Sequence, residues 1–194
     1  MSTSITEDDE DVSRRDVILI TAGGFAGVLG VASIWPLLDQ MNPDSSAQAL
    51  ATTEVDLSHM ERGQAITVMW RGKPIFIRYR TDDEVAAGKD VPLSELPDKV
   101  ARNANLPDDA PATDENRAAE GKEPWLVMIG ICTHLGCIPD GQAPGSNKGE
   151  FGGWFCPCHG SQYDTAGRIR KGPAPENMAI PPYAFTGDTK IKIG

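Results

Sequence analysis

Two short stretches constrain this chain more than anything else in it: Cys132-Thr133-His134-Leu135-Gly136-Cys137 and Cys156-Pro157-Cys158-His159-Gly160-Ser161. Between them they hold all four cysteines and two of the three histidines. A Cys-x-His pair on one stretch and a Cys-x-x-His pair on the other offer two thiolates and two imidazoles. That donor set suits either a two-iron, two-sulfur cluster or tetrahedral zinc. Each half also carries one cysteine more than such a site needs, so sulfur is left over on both sides.

As a set, the two segments resemble the paired cluster-binding motifs of the Rieske iron-sulfur proteins of quinol:cytochrome c oxidoreductases, the cytochrome bc complexes. The resemblance implies one [2Fe-2S] Rieske cluster, with Cys132 and Cys156 on one iron and His134 and His159 on the other. It implies that Cys137 is disulfide-bonded to Cys158. It further implies that one electron of ubiquinol enters the cluster and passes to a membrane-bound c-type cytochrome. The second electron enters cytochrome b, and the parent complex is a dimer.

His159 is then the first candidate for a direct hydrogen bond to ubiquinol or ubiquinone, and His134 the second. Reduction adds negative charge and favours a protonated imidazole, which couples electron acceptance to proton acceptance. By the same resemblance, the Ser161 hydroxyl contacts a bridging sulfur and the Tyr163 hydroxyl a ligand-cysteine sulfur. Donors aimed at sulfur offset the added charge and raise the potential. Leu135 shields the cluster, and Gly172 through Pro175 resembles a rigid covering loop whose prolines limit backbone freedom.

The amino-terminal part carries a different signal. Residues 1–16 read as an acidic cytoplasmic tail ending in Ser13-Arg14-Arg15, which resembles a twin-arginine export signal although Asp16 and Val17 match its continuation imperfectly. Residues 17–38, Val17 through Leu38, carry no charge and as a helix span roughly 33 Å, enough for the hydrocarbon core of a bilayer. The arginines before this run favour a cytoplasmic amino end, which puts residues 52–194 in the periplasm, anchored in the inner membrane. Residues 39–51 read as a flexible tether. Export after folding reconciles a lasting disulfide, which needs an oxidising compartment, with a cluster that needs protected assembly. The formal charge of -10 excludes a general electrostatic footprint for nucleic acid.

The remainder reads as all-β. Thr53–Leu57 and Ala65–Trp70 favour extended structure, and Arg71-Gly72-Lys73-Pro74 makes a hairpin with Ile75–Arg80, with Ile75 and Ile77 buried and charges on the opposite face. Thr81–Glu95 holds short helices or turns. Residues 101–122 lack a continuous apolar face and are expected to be a solvent-facing surface insertion. Pro124–Ile131 reads as a buried strand feeding the first metal loop, and a terminal hairpin turns at Gly187-Asp188. Gly136 and Gly160 are expected to relieve crowding beside the metal ligands. His59 reads as a surface residue.

These elements predict an antiparallel β-sandwich. The resemblance refines it to the Rieske fold, with a cluster-binding subdomain over residues 130–175, plus one transmembrane helix. Three other readings compete: a cytochrome bf-type Rieske protein, the electron-transfer component of an aromatic-ring oxygenase, and a structural zinc protein. The apolar run and the two extra cysteines disfavour the oxygenase component.

Overall fold

The computed structural model describes residues 13–42 and 51–194. They fall into two units divided after Gln48. The acidic residues 1–12 and most of the tether lie outside the described residues.

In the first unit, helix α1 spans Arg14–Asp39. It opens with a reciprocal cap: the Ser13 hydroxyl accepts from the Asp16 amide, and the Asp16 carboxylate accepts from the Ser13 amide. None of its side chains is buried within this unit. An apolar helix exposed on every side has no stable place in water, but it suits lipid. Its hydroxyls fit that setting, because Thr21 and Ser33 donate to the carbonyls of Val17 and Leu29, one turn back, at 2.6 and 2.7 Å. The expected span from Val17 to Leu38 lies wholly inside this helix.

The second unit carries three antiparallel sheets of three strands each. Strands β2 (Ala65–Trp70), β3 (Lys73–Tyr79) and β4 (Trp125–Ile129) form one, with β3 in the middle. Strands β1 (Thr53–Asp56), β8 (Tyr183–Phe185) and β9 (Lys190–Ile193) form another, in the order β1-β9-β8. Strands β5 (Gly152–Cys156), β6 (Ser161–Asp164) and β7 (Ile169–Lys171) form the third. The β2–β3 hairpin closes through Arg71 and Gly72, both at positive φ (49° and 73°). That two-residue turn matches the right-handed twist of its strands.

The β2-β3-β4 sheet is a shared wall. Ile75, Ile77, Trp125 and Val127 pack into one apolar cluster with Leu57, Trp70, Ile191 and Ile193. The alternate residues Phe76, Leu126 and Met128 pack into a second, with both free cysteines. The expected burial of Ile75 and Ile77 therefore holds, but the opposite face is not a charged, solvated one. Arg78 lies on that face and is 6 % exposed, held by the Glu84 carboxylate. A central strand covered on both sides has no solvent face to give its charges.

Helix α2 (Asp82–Lys89) follows, capped by Thr81, and a single helical turn spans Leu93–Glu95. The reading of residues 101–122 as a solvent-facing excursion needs correction. Ala101, Asn103, Ala112, Asp114, Arg117 and Ala118 are buried. The segment anchors itself by polar side chains turned inward, which a search for apolar periodicity does not detect.

Candidate metal centre

The two motif stretches form two loops closed in the same way. In the first, the Gly136 amide donates to the Cys132 carbonyl at 3.0 Å, and the Cys132 amide to the Cys137 carbonyl at 2.8 Å. In the second, the Gly160 amide donates to the Cys156 carbonyl at 2.9 Å. Both glycines sit at positive φ, 83° and 79°, with open space where a Cβ would go. They supply the left-handed turn that closes each loop. The second loop sits on the end of the β5–β6 hairpin, where Cys156 pairs with Ser161.

Cys137 and Cys158 are bonded to each other, with their Cα atoms 6.8 Å apart, which ties the loops together. Cys156 Sγ lies within 4.8 Å of both disulfide sulfurs. Cys132 and Cys156 remain as free thiols, both buried in the second apolar cluster. Burial pushes the Cys156 thiol upward, and a hydrogen bond with the Cys132 thiol adds to the shift. A thiol buried in this way keeps its proton until a cation supplies the opposing charge.

The two imidazoles meet on the outer side. The rings of His134 and His159 stand 4.6 Å apart, centre to centre, and nearly perpendicular. His134 Nδ1 is buried without a hydrogen-bond partner, which is unusual for a ring nitrogen among polar loops. His159 is exposed. Two buried thiols, two converging imidazoles and an orphaned ring nitrogen fit a metal cluster bound between the loops.

Two of the expected supporting side chains lie against the metal loops. The Tyr163 hydroxyl donates to Cys132 Sγ at 3.3 Å. Burial, reinforced by that contact, holds its own proton well above the usual phenol range. The Ser161 hydroxyl is buried and accepts from the Ala174 amide at 3.2 Å, which pins the Gly172–Pro175 loop against the second metal loop. Only glycine fits at 172, because a Cβ would stand 2.6 Å from the Ser161 Cα. Leu135 projects from the first loop, 71 % exposed. His59 is exposed too, away from these contacts.

Sequence reasoning missed two neighbours. The Thr133 hydroxyl donates to the Glu176 carbonyl at 2.7 Å and accepts from the Glu176 amide at 3.3 Å, fastening the first loop to the covering segment. Ile138, just past the disulfide, is 60 % exposed beside Leu135's loop. Position alone could have flagged Thr133, since it separates two candidate ligands. Nothing marked Ile138 in advance.

Comparison with known proteins agrees with this chemistry. The Rieske [2Fe-2S] domain family matches residues 98–184. A second family, described as the Ubiquitinol-cytochrome C reductase Fe-S subunit TAT signal, matches residues 5–44. The ubiquinol-cytochrome c reductase iron-sulfur subunit of Rickettsia prowazekii is 51% identical over 98% of this chain and 99% of its own length. That of Rhodospirillum rubrum is 54% identical over 94% and 92% respectively. Among solved structures, a chain of a hyperthermophilic respiratory Complex III aligns at 25% identity and a TM-score of 0.47, covering 89% of this chain and 98% of that one.

Proposed function

The chain belongs to the family of ubiquinol-cytochrome c reductase iron-sulfur subunits, and from that premise we propose how its residues divide the work. It is the Rieske [2Fe-2S] electron-transfer subunit of a bc1-type ubiquinol:cytochrome c oxidoreductase. It is an inner-membrane protein, with a TAT signal and an apolar helix at its amino end and the Rieske domain in the periplasm.

Cys132 and Cys156 would hold one iron, and His134 and His159 the other. The bound cluster supplies a one-electron acceptor whose neutral imidazole ligands give it a higher potential than a four-thiolate centre. His159 is the exposed member of the imidazole pair, so its outward ring nitrogen accepts the hydrogen bond, and then the proton, of a quinol hydroxyl. His134, half-buried, is the less accessible of the two. Leu135 and Ile138 present an apolar rim on which a quinone ring or a partner surface can dry. Tyr163 donates to the Cys132 sulfur and so favours extra negative charge there. Ser161 holds the covering loop through Ala174.

The electron acceptor downstream is a membrane-bound c-type cytochrome, and cytochrome b takes the second quinol electron in a dimeric parent complex. Residues 39–51 tether the domain between these partners. The observation that carries the whole reading is the pairing of two buried free thiols with two imidazoles 4.6 Å apart.

Natively produced protein should bind two irons and two acid-labile sulfides per chain. It should show a one-electron paramagnetic signal on reduction, with a midpoint potential that falls with pH once the imidazoles titrate. Stoichiometric zinc without labile sulfide would reject the assignment of the site.

A further inference from the structure

The connection between the two metal loops lines a cleft of about 350 Å³ that the function above does not use. Its walls come from Gln64 and Ala65 at the start of β2, from Arg78 in β3, and from Gln142, Gly145 and Lys148 of the connection. A cleft of that volume falls in the range of small-ligand sites.

Two cations line it, and no carboxylate does. Arg78 and Lys148 converge on a single oxygen of one acid, Glu84 Oε1, with the Lys148 ammonium at 3.2 Å. Among the described residues neither cation makes another ion pair, and Glu84 has no third partner of this kind. Two positive groups share one negative group, so the trio carries one positive charge in excess. The neighbouring acid Asp82 is exposed and paired with Arg62.

Arg78 is buried, and the hydrogen bonds of its guanidinium run from Nε and Nη2 to Glu84. Its Nη1 makes no hydrogen bond among the described residues and is not sealed from solvent. That nitrogen therefore opens on the cleft that the residue lines. The surroundings are fixed in advance. Gln142 donates to the Ile66 carbonyl at 3.0 Å and accepts from the Trp154 indole at 3.2 Å, and Glu84 is held in the cap of α2. A ligand arriving here has few groups left to order, which spares it part of the usual cost of binding.

A guanidinium edge beside an ammonium suits an oxyanion, which accepts charge-assisted hydrogen bonds from both. The net charge of -10 does not forbid this. At physiological salt, charges more than about 8 Å away are largely screened, so the cations at the cleft decide.

We propose that this cleft is a binding site for a phosphate-class oxyanion, held between Arg78 Nη1 and the Lys148 ammonium. The anion would be free phosphate or the phosphodiester of a lipid headgroup. Its charge meets the excess of the trio, and its oxygens fasten the connection between the metal loops to β3. The site does not depend on what the metal loops hold.

The test is a phosphorus magnetic resonance titration of the full-length protein in a phosphorus-free detergent, with ionic strength held constant by chloride. Inorganic phosphate and glycerophosphoglycerol, a headgroup without its acyl chains, are titrated separately. Saturable broadening is expected with at least one. Phosphate alone identifies the free anion, and the diester alone a headgroup. Lys148→Gln should weaken binding roughly tenfold, the worth of one charge-assisted hydrogen bond. Glu84→Gln removes the competing acid and should tighten it. Lys190→Gln, on exposed β9 outside the cleft, changes the net charge equally and should leave it unchanged.

No saturable binding of either anion would overturn the proposal. So would equal weakening in Lys148→Gln and Lys190→Gln, which would make net charge the cause, or a folded Glu84→Gln protein that binds no more tightly. Should Glu84→Gln fail to fold, the two lysine variants decide. A protein that binds the anion but shows no iron-sulfur signal would remove the reading of the metal loops and leave this site standing.

Discussion

The two apolar clusters share the β2-β3-β4 sheet yet are built from different materials. The one on the side of β1 and β9 consists of Leu57, Trp70, Ile75, Ile77, Trp125, Val127, Ile191 and Ile193, all hydrocarbon and indole. The one on the other side holds two thiols and the Tyr163 phenol among Phe76, Leu126, Met128 and Trp154. Behind it stand the buried arginines. The first cluster has only to exclude water. The second has to keep a changing charge in place, and it does so with groups bonded to specific partners, the Tyr163 hydroxyl to Cys132 Sγ and the Ser161 hydroxyl to the Ala174 amide.

The sharpest way to break this contrast is Ile77→Ala. It opens a cavity in the first cluster and should cost about 2–5 kcal/mol of stability. Calorimetric or denaturant unfolding would register the loss, while the paramagnetic signal and midpoint potential stay as in the wild type. A shifted potential would mean that the wall transmits strain from one side to the other.

Replacing both Cys137 and Cys158 with Ser tests the other side. The bridge closes a sequence separation of 21 residues, and chain entropy puts its loss at roughly 3 kcal/mol. Here stability and cluster retention should fall together, with iron and sulfide content reporting the second. A variant that keeps full cluster content would show that the bridge stabilises the fold without holding the loops.

Tyr163→Phe should be milder in stability, about 1–2 kcal/mol for the hydrogen bonds that its hydroxyl donates to Cys132 Sγ and accepts from the Thr133 amide. It should nonetheless lower the midpoint potential, because Cys132 loses a donor. An unchanged potential with an intact cluster would remove the hydroxyl from the redox account.

The smallest effect concerns acid. Burial works against the Glu84 carboxylate, but Arg78, the Thr81 amide and Lys148 outweigh it and hold it below its ordinary range. Asp98 is likewise disfavoured by burial and held down by Arg102 and the Asn177 and Val100 amides. A carboxyl depressed in the folded state contributes stability that is complete above its unfolded pKa and disappears as pH falls through the folded value. Both act on the polar side of the wall. Stability should therefore decline as pH drops below the usual carboxylate range, with a shallower slope in Glu84→Gln. Equal slopes in the two proteins would show that Glu84 is not a source of the acid sensitivity.

The metal loops were legible because their chemistry needs particular atoms: few residues besides Cys and His can supply those donors. The β2–β3 hairpin was legible from the break at Arg71-Gly72, and helix α1 from the length of its uncharged run. Both are local signals. Arg117, Arg80 and Arg168 were not legible, since a buried arginine is written with the same letter as a solvated one. Only the carbonyls that receive it, from Ala101 to Met178, tell the two apart. Arg78 misled in the same way, because strand alternation marks which side chains share a face but not whether that face meets water. The helix cap at Thr81 could have been foreseen from Glu84 three residues on.

Each metal loop is fastened to itself before it is fastened to its twin, by one amide reaching back four residues to a cysteine carbonyl. The grip is therefore modular. The stretch joining the halves is exposed from Ala143 through Gly145, between anchors at Gln142, bonded to Ile66 and Trp154, and at Lys148, bonded to Glu84, so a change of length at that tip leaves both jaws held.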